Sequence, residues 1–374
     1  MISLAHERID PDPPANRLTN CLTTDLTGNG LPDVIVTAMG ADLGLGVPGG
    51  RFVKAIRSRF QSNVFWYENP GWKRHTLAKE RDIRLDVGAT LHDVDGDGRV
   101  DLLVGQAYGD SDIYWYRQPV NPRRPWEQHL VTEKFEKYHD IAVGDVDDDG
   151  EPEVVGLSQD AETVFYYDVP ADPTVQPWPD EALHIVDTGS RLEGVSICDI
   201  DGDGSTEIVA GTNIYHRTED DGWDREPIAT GWDDTRVEVG DLDGDGELEV
   251  VLSEGDSPTY GTHPGRVAWF DPPDWEPTFL REDLFCPHTL RTVDFSGDGR
   301  LDILVAEMGL GENLDPTMYL FENTGGGEFR EHVLGTGIET HEARVVDLTG
   351  DGRLDIVGKS YEPDAHVDAW LNKG

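Results

Sequence analysis

Seven copies of one nine-residue frame run through this chain, and together they narrow the fold more than any other feature. The clearest copy, Asp93-Val94-Asp95-Gly96-Asp97-Gly98-Arg99-Val100-Asp101, places carboxylates at positions 1, 3, 5 and 9. Oxygens at alternating positions, a glycine at position 6 and a closing carboxylate are what a hard, oxygen-seeking cation such as calcium requires. The glycine lets the backbone turn back so that the last carboxylate reaches the ion. The frame restarts at Asp25, Asp145, Asp199, Asp241, Asp294 and Asp347, at intervals of 68, 52, 54, 42, 53 and 53 residues. Such a period marks an array of identical supersecondary units.

The expected ligands are Asp25, Thr27, Asn29 and Asp33 in the first copy. Asp93, Asp95, Asp97 and Asp101 serve the second, and Asp145, Asp147, Asp149 and Glu153 the third. Asp199, Asp201, Asp203 and Glu207 follow, then Asp241, Asp243, Asp245 and Glu249. The last two sets are Asp294, Ser296, Asp298 and Asp302, and Asp347, Thr349, Asp351 and Asp355. Thr27, Asn29, Ser296 and Thr349 replace charge with a hydroxyl or an amide, so the first copy should hold its ion most weakly.

Each loop lies between two short apolar, β-prone runs, such as Ile141-Ala142-Val143 before and Glu153-Val154-Val155 after. An aromatic segment comes third (Asn63 to Pro70, Ile113 to Tyr116, Val164 to Tyr167, Val267 to Phe270). A segment with a histidine comes fourth, at His75, His129, His184 and His332. Four strands per repeat and seven repeats predict an all-β, seven-bladed β-propeller filling residues 1–374 as one domain. The last unit ends after its third strand, and the missing fourth is found at the N-terminus. A strand over residues 3–9, with His6, is therefore expected to complete blade 7 and close the ring. Histidines that recur at blade period read as packing.

The formal charge is −45, and outside the ligand positions 51 acids still face 30 bases. The bases are 23 arginines and only 7 lysines. Excess surface carboxylate with little lysine fits a halophilic cytoplasm, where salt screens self-repulsion. Nucleic-acid binding is disfavoured, because phosphates need a basic footprint. No apolar run is long enough to cross a bilayer, and no leader pattern opens the chain. Cys21, Cys198 and Cys286 read as buried free thiols.

The repeat loops resemble those of the FG-GAP and VCBS repeat family, the calcium-loop propellers that include the integrin α head. That resemblance implies calcium on one face and ligands on the other, where the chain enters each first strand. On that rim stand Asn20, Asp86, His139 with Asp140, Glu193, Arg236, His288, and His341 with Glu342. The loops after the second strands add Gln106, Tyr108, Gln159, Asn213, Glu254, Glu307, Lys359 and Tyr361. An insertion over 41–62 brings Arg51 to Phe60, four bases without an acid, with Phe52, Ile56 and Phe60 at helical spacing. It reads as a lid that presents Arg57 to an anionic ligand, or as a helix that salt-bridges acidic neighbours.

Non-repeating ionisable groups round one mouth suit proton abstraction beside a carboxylate, followed by loss of a β-leaving group. His139 or His288 would be the base, Arg236 or Arg57 the holder of the anion, and Tyr108 or Tyr361 the acid. Glu193, Gln106, Glu307 and Lys359 would bind substrate. A second divalent ion is expected at His288, His341 and Glu342. The Trp66 to Pro70 segment is similar to the propellers of aldos-2-ulose dehydratase and some polysaccharide lyases, which implies a carbohydrate lyase or dehydratase. The alternative is a non-catalytic glycan- or protein-binding propeller of the integrin kind.

Overall fold

The computed structural model describes residues 2–15, 17–39, 63–78, 83–362 and 364–374. The insertion over 41–62, its predicted short helix and Arg57 lie outside the described residues. Seven four-stranded antiparallel sheets form a seven-bladed β-propeller, as the repeat period predicts.

The described strands fall into two compact units. One holds blades 3 to 6, whose first strands are Tyr138–Gly144, Val195–Cys198, Thr235–Gly240 and Thr289–Val293. The other holds blades 7, 1 and 2, whose first strands are Glu342–Val346, Leu18–Thr24 and Leu85–His92. In blade 7 the N-terminal strand Leu4–Asp10 pairs antiparallel with Val367–Asn372, so the two ends of the chain share one sheet. His6 and Arg8 fasten that pairing, both reaching Asp368 Oδ1, at 2.7 Å and 2.9 Å.

The second strand of each blade is buried along its whole length, as in Asp33–Ala38 and Glu249–Glu254. A strand covered on both faces needs a continuous apolar run rather than an alternating one. Its period of two still decides which neighbour each side chain meets. Ile35 packs with Leu85, Leu102 and Val104 of blade 2, whereas Val34 and Val36 pack with Val357 and Val367 of blade 7. In the other unit, Val250 and Leu252 face blade 4 while Val251 faces blade 6.

The blade-period histidines have the structural part expected of them. His75 stacks on Trp66 at 4.5 Å, His129 on Trp115 at 4.6 Å and His184 on Tyr166 at 4.6 Å between ring centroids. These pairs join the fourth strand to the third, with His75 and His184 also meeting Glu68 and Asp168. None of the three cysteines is in a disulfide. Burial pushes the Cys198 thiol up to about 12 and that of Cys286 to about 11, which leaves neither poised as a nucleophile.

Candidate functional site

The nine-residue loops form the turn between the first and second strands of each blade. Glycine at position 6 has φ between +82° and +96° in all seven, the left-handed conformation that the reversal needs. Position 1 accepts backbone N–H groups from within the loop, as Asp93 does from Asp97 at 3.0 Å and Gly98 at 2.8 Å. Position 9 lies at the head of the second strand and is at most 2% exposed in every copy. Its carboxylate takes a loop amide, for example Val94 N–H to Asp101 and Val146 N–H to Glu153.

Burial, reinforced by the other loop acids, pushes these closing groups up. Asp33 and Asp101 rise to about 6, and Glu153, Glu207 and Glu249 to about 7. Several loop oxygens also lack a hydrogen-bond partner though buried: Thr27 Oγ1, Asp145 Oδ1, Asp199 Oδ1 and Glu249 Oε1. Asp93, Asp95 and Asp101 bring one oxygen each within 4.8 Å of one another, as do Asp145, Asp147 and Glu153. An all-oxygen donor set fits a hard divalent cation.

A second cluster forms in the unit of blades 3 to 6, where first strands begin. His139 and Asp140 are the second and third residues of Tyr138–Gly144, and Arg236 is the second of Thr235–Gly240. Glu193, His288 and His341 come just before their strands. All six are buried. Arg236 donates two bonds to Asp140, Nη2 to Oδ1 at 3.1 Å and Nη1 to Oδ2 at 3.2 Å. The Gly194 amide donates a third at 2.8 Å. Burial would raise the pKa of Asp140, but Arg236, His139 and this amide outweigh it and hold the carboxyl at about 2.

Ionised Asp140 lies 2.8 Å from His139 Nδ1, and His139 Nε2 then faces Glu193 Oε2 at 3.3 Å. Gln159 donates to the other oxygen of Glu193. The His288 ring sits 6.0 Å from that of His139 and stacks on His341 at 3.9 Å, its Nδ1 3.1 Å from the His341 carbonyl oxygen. The structure thus brings together His139, Arg236, Glu193, His288 and His341. Arg236, expected to hold an anion, instead clamps Asp140.

The remaining candidates have other surroundings. Glu307, in the same unit, accepts the Phe285 and Thr317 amides at 2.8 Å and 3.0 Å and so ties its own loops. In the unit of blades 7, 1 and 2, Lys359 Nζ donates to the Leu18 carbonyl at 2.7 Å and stands 5.8 Å from the Tyr361 ring centroid. Burial pushes the Tyr361 phenol well above its ordinary value. Tyr108 is 48% exposed beneath Lys137, Gln106 meets Asp112 at 3.3 Å, and Glu342 accepts from Arg344 at 2.9 Å. Arg57 lies outside the described residues.

Sequence reasoning missed Asp234, which takes Arg191 Nη1 and, at 3.4 Å, Gln159 Nε2. It stands two residues before Arg236, where the same rim reading would have found it one step earlier.

The FG-GAP-like repeat family matches residues 93–156 and 294–358, each stretch running from one metal loop through the second strand of the next blade. No curated protein matches the chain. Among solved structures, the V. cholerae biofilm matrix protein Bap1 aligns with a TM-score of 0.55 at 12% identity, over 97% of this chain and 89% of that one. At that identity the likeness is one of fold. The chain carries FG-GAP-like repeats on a seven-bladed β-propeller.

Proposed function

We propose that this is a calcium-stabilised propeller that acts on carbohydrate by β-elimination at the His139 cluster. The observation that carries this reading is His139 held between two buried carboxylates, Asp140 at 2.8 Å and Glu193 at 3.3 Å. With Asp140 ionised and clamped by Arg236, Nδ1 keeps its proton and Nε2 is the atom that exchanges one. His139 Nε2 takes the proton next to the sugar carboxylate or carbonyl. The carbon–carbon double bond forms as the β carbon–oxygen bond breaks, and the leaving oxygen collects a proton from a second group. His288, whose ring lies 6.0 Å from that of His139, is the proposed donor for that step.

An additional divalent ion at His288 and His341, whose rings stack 3.9 Å apart, belongs to the same reading; Glu342, the third expected ligand, belongs to the other unit and accepts from Arg344. When bound, such an ion supplies a Lewis acid for the substrate carboxylate.

The test is incubation in high salt with uronate-containing oligosaccharides and anhydroketoses, following ultraviolet absorbance from the new conjugated double bond. His139→Gln should lower that rate by about a hundredfold or more. Binding of the same oligosaccharides without any absorbance change would replace this reading with a non-catalytic glycan-binding propeller.

A further inference from the structure

Blade 4 differs from the other six in a residue outside the nine-residue frame. Ile208 pairs with Tyr215, so the next rung of the ladder sets His216 opposite the closing Glu207. In the other blades that rung carries Glu68, Arg117, Asp168, Asp271, Glu322 or Leu371, none with an imidazole. His216 Nδ1 stands 3.9 Å from Asp201 Oδ2 and 3.8 Å from Glu207 Oε1. The three groups offer one nitrogen and two oxygens, all within 4.8 Å of one another. Asp199 Oδ1, from the first position of the same loop, is buried without a hydrogen-bond partner.

These separations are too long for hydrogen bonds. They are shorter than two zinc-type metal–ligand bonds end to end, about 4.2 Å, so one ion can reach both atoms of each pair. The far side of the ring points to one tautomer. His216 Nε2 lies 3.0 Å from Glu226 Oε2, and Glu226 is itself held by Trp275, whose Nε1–H donates to Oε1 at 2.8 Å. A carboxylate that takes the Nε2 proton leaves the Nδ1 lone pair facing the loop oxygens, which is how metal-bound histidines are oriented.

We infer that Asp199, Asp201, Asp203 and Glu207 together with His216 form a site for a zinc-class transition cation in preference to calcium. Imidazole nitrogen suits borderline transition metals, whereas calcium takes oxygen almost exclusively. The inference sets blade 4 apart from the calcium reading of the other loops and is independent of the elimination chemistry.

The test uses the full chain, stripped with chelator, refilled with excess calcium and titrated with zinc. Calorimetry and metal content after desalting give the affinity and stoichiometry. One zinc should stay bound against calcium, and His216→Asn should weaken it by about tenfold or more. Glu226→Gln keeps the imidazole and loses its orienting acceptor, and should weaken zinc by about 10–100-fold. X-ray absorption at the zinc edge should show one imidazole among oxygen ligands. Circular dichroism checks the fold of both variants; if His216→Asn does not fold, Glu226→Gln and the absorption spectrum decide. Zinc held equally by parent and variants, an all-oxygen shell, or displacement of zinc by calcium from the parent would each overturn the inference.

Discussion

Two regions of this protein bury carboxylates and treat them oppositely. In the nine-residue loops the closing acids are pushed up, Asp101 to about 6 and Glu153 to about 7, because burial and neighbouring acids both favour the neutral form. Around His139, Asp140 is buried too yet sits at about 2, because Arg236, His139 and the Gly194 amide surround it. Around His139 the carboxylate meets an arginine and a histidine, whereas in the loops arginines such as Arg99 and Arg117 meet Asp97 and Asp95 rather than the closing Asp101. The difference teaches where this fold depends on solution conditions and where it does not.

The largest effect should follow from removing divalent ions. Each occupied loop adds about 2.7 kcal/mol when the ion is at a hundred times its dissociation constant. Across several loops, chelation should lower the melting temperature by roughly ten degrees or more. A melting curve unmoved by chelator would break the contrast, since the loops would then be self-sufficient too.

Next in size is Arg236→Met, which leaves Asp140 buried without its main counter-charge. We expect a loss of roughly 3–5 kcal/mol in denaturant titrations, insensitive to added calcium. Arg236→Met with Asp140→Asn should recover much of that loss, because no buried charge then lacks a partner. Recovery of the single variant by calcium would show that the cluster, too, draws on external cations.

Acid titration sharpens the comparison further. The folded pKa of Asp140 lies below its unfolded value, so its contribution is complete above about pH 4. It is lost as pH falls from there towards the folded value of about 2. Asp140→Asn should flatten that part of the stability profile measured by denaturant midpoint. An unchanged slope would show that Asp140 does not couple folding to protonation.

The smallest effect belongs to the repeated ring stacks. His184→Ala removes one stack on Tyr166 and should cost about 0.5–1.5 kcal/mol with no change in metal content. A larger loss, or a lost metal equivalent, would move this histidine out of the packing class.

Much of the architecture was legible because it repeats. Alternating oxygens, the position 6 glycine and the apolar second strand recur in phase, so each copy corroborates the others. Even the completion of blade 7 by Leu4–Asp10 followed from a missing fourth segment at one end and a spare one at the other. The cluster was legible in part: the rim positions named His139, Glu193, Arg236, His288 and His341, which do meet. Their roles were not legible, because a guanidinium looks available in a sequence until its partner is known. Arg236 lies 96 residues from Asp140 and binds it with both nitrogens. Glu307 was misleading for a similar reason, its carboxylate being taken by amides of Phe285 and Thr317, which no side-chain pattern records.

By itself, then, the sequence determined the unit, its count, its acidic glycine turns and the strand that joins the two termini. These are set by local spacing and by the phase of a repeat, both of which are written along the chain. Only tertiary structure decided which charge neutralises which, that His216 faces the blade 4 loop, and that Glu226 turns its ring. Those choices depend on distances between strands that the chain brings together by folding, and electrostatics acts through distance rather than through residue order.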